Sequence, residues 1–230
     1  MFPCIKKMVL PCLLLLSQSC ITSLHRLVTS DNAVQENRIA GTWQQDEKTI
    51  KIQTVKKSEL AKEFNQLWNE KDKKPLSDPE KKDSILYYEK SYVFSFVKSD
   101  VTYFMLANFI RLNNELYADI YPLQMEQEDI SNKKEINEYN GEFGYTSAHT
   151  FAKLIFPDNN SIELKFLNGE FIGGKIDKGR VAIKNEKDEL SGAVLITAST
   201  EELQRFLLKY GKDERLYDKK NTIILRRKVN

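Results

Sequence analysis

The sequence predicts a mainly β, α+β fold, in which an antiparallel meander closes into a barrel or sandwich. Three observations carry that expectation. Runs rich in aromatic and β-branched residues recur at strand length from Ile39 to Lys228, many alternating apolar with polar. Only two segments show clean helical spacing. Strands do not alternate with helices and no repeat is present, which argues against a doubly wound parallel sheet.

Taken in order, "IAGTWQQDEKTIKIQT" (39–54) gives a short strand, a turn near Asp46-Glu47, and a second strand with Ile50 and Ile52 on one face. In "SELAKEFNQLW", Leu60, Phe64, Leu67 and Trp68 form one helical stripe, with Ser58 as its cap. Residues 69–84 contain Pro75, Pro79 and many charges and read as a loop. The strongest β region runs from Tyr87 to Leu123. In it, Asn113-Asn114 suits a tight turn with positive φ. Beyond that turn Leu116, Ala118 and Ile120 face one way, and Tyr117, Asp119 and Tyr121 the other.

Residues 124–146 form a long polar excursion, a length more usual for functional or disordered loops. Strands resume with "HTFAKLIF", the turn "PDNN" and "SIELKF". Residues 168–179, with Gly173-Gly174, show no clear pattern. Strands are expected near 180–184 and 192–198. Residues 199–211 read as a helix, with Ser199 and Glu202 at capping-box spacing. Its stripe is Leu203, Phe206, Leu207 and Tyr210, Gly211 stops it, and "NTIILRRK" closes the chain as a strand. The expected total is about nine or ten strands with two or three helices, as a single domain over 38–230.

The first twenty residues follow a different logic. Lys6 and Lys7 precede an apolar stretch from Met8 to Leu16, and small residues follow, the layout of a secretory signal peptide over residues 1–19. The apolar run is about half the roughly 20 residues a membrane span needs and contains Pro11. With Lys6 and Lys7 removed, 33 basic residues balance 33 acidic ones. Nucleic-acid binding usually needs a basic excess or stripe, so no nucleic-acid partner is expected. Charged residues at 30% and apolar residues at 41% fit a globular domain with an ordinary core. Of three cysteines, Cys4 and Cys12 lie in the leader, so Cys20 alone would remain after cleavage. An internal disulfide and a thiolate metal site are then both excluded. Residues 20–37 read as a tether, with packing of Leu24 to Val28 onto the domain as the alternative.

At Ser17-Gln18-Ser19-Cys20 the chain resembles a bacterial lipoprotein signal, with Ser in place of the usual Leu three residues before the cysteine. The same three residues also suit ordinary signal cleavage. The resemblance implies acylation of Cys20. It further implies a membrane partner held through those acyl chains, and a place in the bacterial cell envelope, on the periplasmic face or outer membrane. One chain binds only marginally, whereas two or three would anchor permanently. At Gly41-Thr42-Trp43 the chain resembles the first strand of lipocalin-like proteins, and a late helix followed by a last strand repeats their order. That resemblance implies a barrel whose Trp43 is covered by a basic residue, Arg226 or Arg227. "SAHTFAKL" and "LITASTEELQRFLLKY" resemble segments of small uncharacterised bacterial lipoproteins, which implies no activity.

Catalytic chemistry is poorly represented. The two histidines are His25 in the tether and His149 at a strand start, too few for a metal site. His149 is a candidate general base, with a strand-edge hydrogen bond as the simpler role. No nucleophile elbow, P-loop or dinucleotide fingerprint occurs, so no cofactor is expected. Glu201 and Glu202 complement a helix dipole. Trp43, Tyr103, Phe109, Tyr117 and Tyr121 are the candidate lining of an apolar pocket, with ordinary core packing as the rival. The expectation is a lipid-anchored, non-catalytic envelope protein that binds a small apolar ligand or envelope component. A protein-interaction module is the alternative, with a hydrolase behind it.

Overall fold

The structure, a computed structural model, describes residues 21–62, 64, 79–98, 101–123, 148–188 and 193–228. Eight strands form a closed antiparallel barrel: β2 (Gly41–Gln45), β3 (Lys48–Thr54), β4 (Tyr92–Lys98), β5 (Val101–Leu112), β6 (Glu115–Pro122), β7 (His149–Asp158), β8 (Ser161–Leu167) and β11 (Tyr217–Arg227). Each pairs with its sequence neighbour, β11 sits between β8 and β2, and the β6–β7 pairing completes the ring. The fold is the expected mainly β, lipocalin-like barrel with helices. Among the described residues three α-helices accompany it: α1 (Pro79–Glu89), α2 (Gly169–Asp177) and α3 (Thr200–Tyr210). A short annex is added by β1 (Thr22–Ser23), β9 (Asn185–Lys187) and β10 (Val194–Ile196). In it β1 pairs with the start of β7 and runs parallel to β10.

Turn chemistry fixes the meander. Asn113 and Asn114 have φ of 49° and 65°, and Asp46 has 52°, left-handed conformations that Asn and Asp tolerate. Strand parity then sorts side chains into two layers. The lumen takes Trp43, Ile52, Phe94, Phe109, Ala118, Ala152, Ile162 and Leu225, contributed by every strand of the barrel. The outer face of β5, β6 and β7 is buried too, because α3, α1 and the segment from Ile21 to Ala33 lie over it. Its Leu106, Ile110, Tyr117 and Phe151 meet Leu203, Phe206 and Leu207 of α3.

Several sequence expectations are corrected here. Residues 21–37 are not a tether. Ile21, Leu27 and Val28 are fully buried, and Val34 donates its N–H to the Phe109 carbonyl at 2.8 Å. Leu27 and Val28 pack because the barrel wall beneath them is itself apolar, whereas Leu24 stays exposed. The loop expected over 69–84 gives way to α1, which starts at Pro79 and runs through Tyr87 to Glu89. Proline suits a first helical position, where no intrahelical N–H bond is needed.

Residues 168–179, left without a pattern, form α2, capped by Asn168 accepting the Phe171 N–H at 3.0 Å. The strand expected near 180–184 lies instead at β9. Gly211 does end α3, but at φ −63°, so left-handed freedom is not its role. A Cβ there would stand 2.1 Å from Tyr117 Oη. The last strand is longer than a lipocalin-like coda, since β11 is itself a stave of the barrel. Residues 1–20, the 124–146 excursion, and Leu67 and Trp68 of the 58–68 helix lie outside the described residues.

Candidate functional site

The five candidate pocket residues do not converge. Trp43 and Phe109 are fully buried in the lumen, and Tyr103 follows the same inward parity, stacked on Phe96 with centroids 5.1 Å apart. Tyr117 and Tyr121 point the other way, into the outer layer. Tyr117 Oη lies 3.4 Å from Tyr217 Oη, and Tyr217 donates to the Gly211 carbonyl at 2.7 Å. Burial raises the pKa of both phenols, so they act as hydrogen-bonding core residues. The barrel wall therefore divides the set three to two.

At one end the lumen is closed by the arrangement the Gly-x-Trp resemblance implies. Trp43 donates its indole N–H to the Ile39 carbonyl at 2.8 Å, and the Arg227 guanidinium covers its ring at 4.3 Å. Arg227 also donates to the Arg38 carbonyl at 2.8 Å. Gly41 is needed for its conformation. Its φ is +146°, and a Cβ would lie 2.6 Å from Arg227 Nη1.

His149 sits on the outer layer, where its Nδ1 lies 2.7 Å from Asp119 Oδ1 and its ring lies 4.9 Å from Tyr121. Asp119 is 2% exposed. Its Oδ2 accepts the backbone N–H groups of Leu27 at 2.7 Å and Val28 at 3.3 Å. This carboxylate thus clamps the incoming chain to the barrel wall. Among the described residues Asp119 bonds to His149 and to the Leu27 and Val28 N–H groups, so the pair fastens the chain entry to the barrel. Sequence reasoning noticed His149 and passed over Asp119. The available signal was a carboxylate on the same strand face as Tyr117 and Tyr121.

The concave site that the sequence did not reveal lies on the insertion between β8 and β11, residues 168–216. A pocket of about 190 Å³ opens between α2, α3 and the turn at Glu214–Leu216. Ile172, Val181, Phe206 and Leu216, all buried, line it together with the half-buried Phe171 and Tyr210. Lys175, Arg180, Asp213 and Arg215 complete the lining. Arg215 bonds Asp213 twice, at 2.8 and 2.7 Å, which pulls the Asp213 carboxyl down to about 2. The base of the insertion is clipped by the Asn168 N–H bond to the Leu216 carbonyl at 2.8 Å.

No group of three His, Cys, Asp or Glu side chains suitable for a metal occurs among the described residues. None of the described helices is long and apolar enough to cross a membrane. The chain matches no protein-family model, no curated protein and no solved structure.

Proposed function

We propose that this is a lipid-anchored, non-catalytic binding protein of a bacterial cell envelope, acylated on Cys20, that holds a small molecule with an apolar body in the α2–α3 pocket. One observation carries the binding reading: a preformed concavity of about 190 Å³ with an apolar lining, on a barrel whose lumen is occupied by its own side chains. The anchoring reading rests on the leader, on Cys20, and on the lack of any other cysteine in the mature chain.

Apolar exposure gives a protein-docking face less support. Leu24, Val97, Leu208 and Ile224 are the large exposed apolar side chains among the described residues, and they stand on four separate segments.

Two measurements test the reading. Native mass spectrometry of the mature protein, extracted from its own envelope, should show a reproducible adduct that partitions into organic solvent. Cys20→Ala should abolish metabolic labelling with palmitate. A clean apo mass removes the ligand reading, and labelling that survives the substitution removes the anchor.

A further inference from the structure

We infer that the molecule held in the α2–α3 pocket is an anion, a small carboxylate with an aromatic or short aliphatic body. The inference rests on that pocket being the ligand site and adds the ligand's charge.

Size sets the apolar part. An apolar cavity of about 150 Å³ holds a benzene ring, so the pocket of about 190 Å³ admits one ring or a short chain. The lining side chains offer such a body dispersion contacts. Tyr210 is the lone lining residue that combines a ring with a hydroxyl.

Charge sets the other end. The insertion is neutral, with nine basic and nine acidic residues between Asn168 and Leu216. Around the pocket the balance is broken, with three cations against one carboxylate. Three of the insertion's other acids are engaged away from the pocket. Asp177 pairs with Lys187, Glu202 with Lys184 and the α3 cap, and Glu214 with Lys153 and Lys165. The single carboxylate at the pocket, Asp213, is bound to Arg215.

Arg215 has five N–H donors and gives two side-chain bonds to Asp213, leaving three. Lys175 and Arg180 form no close ion pair among the described residues, although the Lys175 charge also acts on Asp213. Lys175 Nζ and Arg215 Cζ lie 5.1 and 5.6 Å from the Phe171 ring centre, so the cations are drawn to the apolar lining itself. Guanidinium forks match planar carboxylates, which selects that anion over a spherical one. A ligand seated on the lining would bring its carboxylate to these donors.

The test uses three probes of one length on the full mature chain: octanoate, 1-octanol and octylammonium. Binding is followed through the methyl resonances of Ile172 and Val181. Octanoate should saturate the site at least about tenfold more tightly than octanol, a difference of about 1.4 kcal/mol, and octylammonium should bind most weakly. The double substitution Lys175→Glu, Arg180→Glu should bring the octanoate-to-octanol affinity ratio down to about one or below, whatever it does to octanol binding itself. Because Arg180 is exposed, Arg180→Ala serves as a milder variant that should retain the fold and reduce the preference. Equal affinity for octanoate and octanol would overturn the anion and leave the apolar site standing. Failure of all three probes to shift those methyls would overturn the site and the anion together.

Discussion

Replacing Asp119 by alanine removes the acceptor that holds the chain entry against the barrel. Two buried N–H groups, of Leu27 and Val28, lose their partner, as does His149 Nδ1. Stranding a buried donor costs about 1–3 kcal/mol, and the 3.3 Å bond to Val28 belongs at the low end. The third lost bond, to the less buried His149 Nδ1, adds about 1 kcal/mol, and relief from burying the carboxylate offsets part of the sum. The expected loss is therefore about 3–5 kcal/mol. In a chain of this size that corresponds to a Tm lower by about 6–20 °C.

The effect should also be local. The entry segment keeps its bonds from Thr200 to the Arg26 carbonyl and from Gln204 to the Leu27 carbonyl, at 2.7 and 2.8 Å. Hydrogen exchange in Asp119→Ala should thus accelerate first at Leu27 and Val28, while amides of β5 and β6 follow global stability. His149→Ala removes one bond and the Tyr121 ring contact, so its cost should be smaller, about 1–2 kcal/mol. A Tm within about 2 °C of the parent for Asp119→Ala, or equal costs for the two substitutions, would refute the clamp.

Three further outcomes are expected. Gly211→Ala places a methyl 2.1 Å from Tyr117 Oη and 2.5 Å from the Leu207 carbonyl, so thermal melts should show a loss of about 1–3 kcal/mol. Adding Tyr117→Phe should recover part of that loss. Glu36 has its carboxyl pKa lowered, chiefly by its hydrogen bond from Arg38, from an ordinary value of 4.5. A lowered folded value stabilises above the unfolded one, so this contribution is full above about 4.5 and fades as pH falls further. Urea titrations from neutral to acid pH should show a shallower acid loss for Glu36→Gln. Finally, Cys20 directly precedes the buried Ile21, so an acylated chain has no spacer between membrane and barrel. A nitroxide at the exposed Leu24 should show lipid contact in vesicles, and one at Val97 of β4 should stay aqueous; equal exposure of both would refute the close approach.

Strand parity was legible because it depends only on period two. The residues 116–121 divide in the structure as their alternation says, and the Asn-Asn turn before them has the positive φ it promised. Which side holds the lumen was not legible, because β6 is buried on both faces and neither Tyr117 nor Tyr121 marks itself as outside. The covering elements hid for local reasons. In α1 the charges of "PEKKD" look like loop, and helix position is revealed only by the buried Ile85 and Tyr87 beyond them.

In α2 the pair Gly173-Gly174 lowers helix propensity by about 1 kcal/mol per residue relative to alanine, and neither glycine is forced by space. A Cβ at Gly173 would meet Val194 at an ordinary 3.5 Å, and one at Gly174 would meet nothing. The Asn168 cap and the buried Ile172 hold that helix instead.

The pocket was therefore invisible in the sequence for the reason that makes it suited to binding. Phe206 and Tyr210 come from the legible helix α3, but Phe171, Ile172, Val181 and Leu216 come from segments with weak local signals, and they meet because the insertion leaves the barrel at Leu167 and returns at Tyr217. Those two residues pair directly across β8 and β11, next to the Asn168–Leu216 hydrogen bond. Loop closure is thus already met by the barrel ladder, and the buried Ile172, Phe206 and Leu216 fix the lining before any ligand arrives. A preformed site spends little of a ligand's contact energy on ordering itself. Binding to the folded state alone should then stabilise the protein by about 2.7 kcal/mol at a hundredfold excess over Kd, and Tm should rise with ligand concentration as mass action requires.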